Sequence, residues 1–219
     1  MKIILTGATG MVGSEVLRTA IADDRFKKII CVVRKPLTIQ HSKVETIIHN
    51  DFSNYDSLTN VFIEADACVW CLGISQTQVN KDQYEIITYQ YAVEAAKQIL
   101  KSNPSITFLF LSGRGADTTE RSNTLFARIK GKTENALSAL AFKHLYIVRP
   151  GAIKAVNGYP NPPFAYKLFM PILYPLLKLF YPSLLITSVE LAKAILNIIV
   201  KQPEQKLYEN ADLKQWATF

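Results

Sequence analysis

The sequence predicts a doubly wound α/β domain, a mostly parallel sheet with helices on both faces, and three observations predict it. Short apolar, β-branched runs alternate with helix-period segments from the first residues onward. Each run is read as apolar on both faces, as strands of a parallel sheet covered on both sides are. A glycine cluster, Gly7, Gly10 and Gly13, separates the first run from the first helical segment.

The elements follow in order. Lys2–Thr6 reads as the first strand, and Met11–Ala22, with Val12, Val16 and Ala20 four apart, as the first helix. Lys28–Val33 and Val44–His49 are the second and third strands, and Asp66–Leu72 is the fourth. Asp82–Lys101 places Tyr84, Ile87, Tyr91, Ala95 and Ile99 on one helical stripe. Ile106–Ser112 is a fifth strand, Ser122–Leu140 a helix and Leu145–Arg149 a sixth strand. Right-handed crossovers then wind the sheet in both directions. Past Pro150-Gly151 the composition changes. Pro162–Ile186 is aromatic and nearly uncharged, with Pro171, Pro175 and Pro182 expected to break any helix there. Lys167 and Lys178 interrupt it, so its uncharged stretches fall short of the roughly 18 residues of a membrane span. Thr187-Ser-Val-Glu190 has capping-box spacing and opens a helix over Glu190–Val200. Residues 1–150 are therefore expected to form the core, and 151–219 an elaboration of the same domain over the sheet's carboxyl edge.

The chain has 219 residues, 49% hydrophobic and 20% charged, which suits one globular domain and excludes disorder or a collagen-like repeat. Its formal charge of +7 is scattered, whereas nucleic-acid binding would want a basic stripe; no nucleic-acid partner is expected. Three cysteines make no disulfide framework and no secretory leader is read, so the expected setting is reducing and cytoplasmic.

The glycine array Gly7-x-x-Gly10-x-x-Gly13 carries the strongest chemistry. Glycine suits a sharp turn, a close approach of backbone to a diphosphate and tight helix–strand packing, and the helix end offers unpaired N–H groups. Thr9, Met11 and Val12 lie within the same turn. Dinucleotide binding is expected there. A carboxylate about 20 residues further on would hold the ribose hydroxyl of NAD. Instead the second strand ends in Arg34-Lys35, where a guanidinium matches the 2′-phosphate of NADP. NADP(H) is preferred over NAD(H), with a plain surface Arg34 as the alternative.

The sequence resembles the atypical short-chain dehydrogenases/reductases, in particular the single-domain group of NmrA-like and Tat-interacting oxidoreductase-like proteins, often labelled nucleoside-diphosphate-sugar epimerases. The resemblance spans roughly residues 1–200. It rests on Thr6-Gly7-x-x-Gly10-x-x-Gly13, Asp51-Phe52, Leu72-Gly73, Ser112-Gly-Arg-Gly-Ala-Asp117, Lys130-Gly-Lys-Thr-Glu134 and Arg149-Pro150-Gly151. It implies that Asp51 and Phe52 border the adenine, that Leu72 and Gly73 line the ribose and nicotinamide path, and that Pro150 flanks the nicotinamide. Asp51 is equally well placed as a turn or cap residue. The family's Tyr-x-x-x-Lys departs here to Phe126-Ala-Arg-Ile-Lys130. Lys130 is kept to orient the ribose and Ser112 to hold a substrate oxygen, but Phe126 has no proton to give. The nearest match to the family's helical asparagine is Thr88.

Two readings follow. In one the protein is an NADP-dependent oxidoreductase for a small apolar carbonyl or enone, drawing its proton from Ser112, a water, or one of Tyr84, Tyr89 and Tyr91. In the other it senses the dinucleotide without turnover and meets a protein partner. Sugar-nucleotide epimerisation is the weaker third, since it needs the tyrosine. Cys68-Val-Trp-Cys71 is read as packing within a strand, and His41, His49 and His144 as surface or strand-end residues; no metal site is expected. Asp117 is read as a loop carboxylate. Pro162–Ile186 is read as pocket wall and core before a homodimer or membrane-surface face.

Overall fold

The computed structural model describes residues 1–158, 162 and 164–219. The strands of its main sheet are β1 (Lys2–Thr6), β2 (Lys28–Val33), β3 (Val44–Ile48), β4 (Ala67–Trp70), β5 (Thr107–Leu111) and β6 (His144–Arg149). Two short strands, β7 (Ala152–Lys154) and β8 (Leu185–Thr187), pair in parallel apart from it, and β9 (Leu207–Glu209) closes the main sheet. The order is β3-β2-β1-β4-β5-β6-β9 and every pairing is parallel. The chain steps outward from β1 to β3 and then returns to the other side of β1, so the crevice between the carboxyl ends of β1 and β4 is the point where ligands bind in such sheets.

The strand period of two divides the apolar side chains between two layers. Ile3, Leu5, Ala67 and Val69 face α1 (Met11–Ile21), α7 (Ser188–Lys201) and α8 (Asn210–Trp216), meeting Val16, Leu17, Leu191, Ile195 and Leu213. Ile4, Cys68, Trp70, Phe108 and Phe110 face α2 (Thr59–Ile63), α4 (Tyr91–Ser102) and α5 (Leu125–Ser138), meeting Phe62, Ala95, Ala96, Ile99 and Leu137. The expected long helix is three pieces run together: α3 (Lys81–Glu85), capped by Asn80, a π-helical turn over Ile86–Gln90, and α4.

Two expectations past residue 150 need correction. Only part of this segment lies at the carboxyl edge: α7 packs on α1 within the core and β9 pairs with β6 as a seventh strand. The prolines do not prevent a helix, since α6 (Phe164–Phe180) runs through Pro171 and Pro175. Both prolines are exposed, so water can serve the carbonyls they leave unpaired. Pro182 stands outside α6, at the start of a 3-10 turn, and Pro163 lies outside the described residues. The capping box is made as expected: Thr187 Oγ1 accepts from the Glu190 amide at 3.1 Å, and a Glu190 oxygen accepts from the Thr187 amide at 2.8 Å. No helix among the described residues is long and apolar enough to cross a membrane.

Candidate dinucleotide and substrate site

The glycine turn joins β1 to α1. Gly7 has φ +67°, and a Cβ there would lie 2.5 Å from the Cys71 carbonyl oxygen at the end of β4. A Cβ on Gly13 would lie 2.1 Å from the Gly7 carbonyl oxygen. The Gly10 amide closes the turn onto Gly7 O at 2.9 Å. No side chain caps α1 and no acidic residue stands in its first turn, which leaves a bare helix N-terminus for an anion. Thr6 Oγ1 accepts from the Leu72 amide at 3.2 Å and ties the ends of β1 and β4 together below the turn. A diphosphate fits this cradle, because both close glycines are required by backbone and Thr9 at its rim is exposed.

Arg34 is exposed on the first residue past β2, and none of the ion pairs among the described residues engages it. A cleft of about 660 Å³ beside the turn is lined by Ala8, Thr9, Ser14, Arg18 and the loop Pro36–Ile39. Asp51 spends its carboxylate on a local turn, accepting from the Ser53 amide at 3.0 Å and from the Ser53 hydroxyl, and these bonds hold it below the usual carboxylate range. Phe52 is buried, its ring 5.1 Å from His49 and 5.8 Å from Tyr91, so its side chain serves the core. His49 is likewise buried under this cluster and not at the surface. Gly73 has open space around it, while Leu72 is half-buried and Pro150 buried.

At the carboxyl ends of β5 and β6 a second cleft, of about 570 Å³, is lined by Ser112, Gly113, Phe126, Pro150, Leu177 and Leu184 among others. The structure thus brings Ser112, Phe126 and Pro150 together, and α6 supplies part of the wall through Leu177. Phe126 lies one helical turn before Lys130 on α5, its ring so close to Gly113 that a Cβ there would meet Cζ at 2.6 Å. Lys130 is 8% exposed; its Nζ donates to Leu111 O at 2.8 Å and sits 4.6 Å over the Phe110 ring. Burial brings its pKa down to about 8.

None of the alternative phenols lines this cleft. Tyr84 is buried in the core, where desolvation pushes its hydroxyl up to about 12. The Tyr89 ring carries Lys132 Nζ 4.4 Å above it, and Tyr91 joins the Phe52 cluster. Thr88 is buried within the π-helical turn and its carbonyl accepts from Thr133 at 3.4 Å. Asp117 organises its own loop, accepting from the amides of Thr119, Arg121 and Ser122. Cys68 is wholly buried, and burial pushes the Cys71 thiol up to about 12, as for packing cysteines.

The sequence reading passed over Glu134 and Arg149 as chemistry. Ser112 Oγ donates to Glu134, and Arg149 binds both carboxylate oxygens of Glu134. The one signal for this in the sequence is that Lys130 and Glu134 lie four apart on one helix face.

A family model described as NAD(P)H-binding matches residues 7–160. Leucinostatins biosynthesis cluster protein T of Purpureocillium lilacinum is 29% identical over 91% of this chain and 85% of that protein. Protein HTATIP2 of Rattus norvegicus is 26% identical over 69% of this chain, and the match spans 62% of that protein's length. Protein FMP52, mitochondrial, of Candida albicans is 27% identical over 70% of this chain and 67% of that protein. Among solved structures, the Bordetella bronchiseptica enzyme WbmH in complex with NAD+ superimposes with a TM-score of 0.71 at 12% identity, over 95% of this chain and 74% of that one. The PhqB reductase domain of Penicillium fellutanum gives 0.68 at 18%, over 95% and 66%.

Proposed function

The chain belongs to the NAD(P)H-binding family, and from that premise we propose that it is an NADP(H)-dependent oxidoreductase acting on a small, apolar carbonyl or enone. The observation that carries this reading is the pairing of the uncapped glycine cradle with a second, largely apolar cleft lined by Ser112, while Lys130 bonds the carbonyl of the preceding residue, Leu111. In this reading Gly7 to Gly13 hold the diphosphate and Arg34 pairs with the 2′-phosphate. Leu72, Gly73 and Pro150 line the path toward the substrate cleft, and the backbone of the turn at Asp51 and Phe52 borders the adenine end. Bound NADPH supplies a hydride. Lys130 has two N–H donors left after its bond to Leu111 and offers them to the ribose. Ser112 contacts the substrate oxygen, and Phe126, Leu177 and Leu184 exclude water from the cleft.

A specific observation favours a second reading, in which the dinucleotide is bound without turnover: Phe126 occupies the place of the proton donor and no other phenol considered above lines the cleft. NADPH oxidation over a panel of aldehydes, ketones and quinones separates the two. Turnover by the wild type that is lost in Lys130→Ala supports the enzyme; turnover only in Phe126→Tyr supports the sensor. A cytoplasmic setting is proposed from three free cysteines; fractionation tests it against the mitochondria named for the Candida albicans relative.

A further inference from the structure

The substrate cleft lacks a phenol, and behind its serine the structure places a carboxylate. Ser112 Oγ donates to Glu134 Oε1. Glu134 is 2% exposed and is clasped by Arg149, whose Nε donates to the same Oε1 at 3.0 Å and whose Nη2 binds Oε2. Arg149 also donates through Nη1 to Glu209 at 3.1 Å on β9. These bonds hold Arg149 above its ordinary pKa, the Glu134 carboxylate first among the causes. Ser112 faces the cleft of about 570 Å³. Glu134 and Arg149 line a different one, of about 230 Å³, together with Lys206. The serine–carboxylate pair therefore joins a residue of one cleft to a residue of the other.

We propose that Ser112 and Glu134 carry the proton that a phenol at position 126 would otherwise carry, and that the site in this resting form is matched to a secondary alcohol. The proposal rests on the reading of the Ser112 cleft as the substrate site of an NADP-dependent enzyme. A hydroxyl has one proton. Ser112 points its one O–H at Glu134, so Oγ turns only lone pairs toward the cleft and accepts from an O–H. A ketone oxygen in the same place would face lone pairs with no proton between them. The balance is that of a dehydrogenation. The carbinol C–H pair leaves as hydride to an oxidised nicotinamide, and the O–H pair closes the C=O bond. The alcohol proton passes to Ser112 Oγ while the serine proton passes to Glu134 Oε1, from which the Arg149 cleft returns it to water. Carbonyl reduction runs the same chain backward and begins with Glu134 protonated. Glu134 acts through Ser112 and touches no substrate.

The test uses 1-phenylethanol and acetophenone, which share a shape and differ in the proton. Calorimetry on the NADP+-saturated protein is expected to show the alcohol binding at least about fivefold more tightly, from the cost of an unmatched buried acceptor pair, with the preference lost in Ser112→Ala. In turnover, Glu134→Gln is expected to lower kcat for 1-phenylethanol by about 10²- to 10⁴-fold with KM little changed. Glu134→Asp, which keeps the carboxylate, recovers part of it. Equal binding of alcohol and ketone, oxidation by Glu134→Gln or Ser112→Ala within about threefold of wild type, or no oxidation by a wild type that binds NADP+, overturns the relay and leaves the cofactor reading standing. A wild type that fails to bind NADP+ overturns that reading too. Should Glu134→Gln not fold, Ser112→Ala removes only a hydroxyl and decides the matter.

Discussion

Replacing Gly13 by alanine probes the cradle where it is tightest. The new Cβ would stand 2.1 Å from the Gly7 carbonyl oxygen, and restoring even a crowded 3.0 Å contact requires the start of α1 to back away by about 0.9 Å. Neighbouring atoms are backbone on both sides, so no side-chain rotation relieves the overlap. Overpacking of this kind costs about 1–3 kcal/mol in stability, or a fall in Tm of about 2–4 °C per kcal/mol for a chain of this size. The larger effect falls on binding. Amides of the first helical turn carry charge-assisted bonds to the diphosphate worth about 1.5–3 kcal/mol each, and a displacement near 1 Å spoils at least one. NADPH affinity should drop by at least about tenfold, and by 10²- to 10⁴-fold if two bonds are lost. Isothermal calorimetry at a temperature well below Tm reads this directly. A folded Gly13→Ala protein with unchanged affinity would refute the cradle as the diphosphate site.

Other outcomes follow from the same geometry. Gly73→Ala meets nothing within 4 Å, so Tm should stay within about 1 °C while NADPH affinity falls if the ligand runs over it; calorimetry and a thermal melt report the two separately. Arg34→Asp should invert the preference between NADPH and NADH, and an unchanged ratio in paired titrations removes Arg34 from the 2′-phosphate. Burial lowers the Lys130 pKa to about 8 from its ordinary 10.5, so the folded state releases this proton before the unfolded chain does. Stability from this group therefore rises with pH between about 8 and 10.5, by up to about 3 kcal/mol, and the rise should vanish from urea titrations of Lys130→Met. Over the same range NADPH affinity should weaken as the charge offered to the ribose is lost. Thr187→Ala opens the capping box of α7 and should cost about 1 kcal/mol, read as a fall in Tm of about 2–4 °C.

The core sheet was legible because its strands are apolar on both faces and five or six residues long in most cases, which periodicity alone detects. β7, β8 and β9 have three residues each and are defined only by the strand they pair with, so no local pattern announces them. α6 was hidden by its own prolines, whose cost depends on whether water reaches the freed carbonyls. In the site, the glycine turn and Phe126 are local facts of the sequence. Asp51 and Phe52 illustrate the opposite: their neighbours Ser53, His49 and Tyr91 decide that one makes a turn and the other fills the core. The Ser112–Glu134–Arg149 network joins residues 22 and 15 apart in the chain, and only the parallel register of β5 and β6 beside α5 brings them into contact.

The central claim is that backbone amides at the start of α1 grip the diphosphate of an adenine dinucleotide. Amide-resolved NMR during an NADPH titration tests it most directly. The account predicts one-to-one saturation with the Gly10, Met11, Val12 and Gly13 amides among the largest shifts. Saturation that leaves those four unmoved, or no saturable shift with NADPH or NADH, would contradict it.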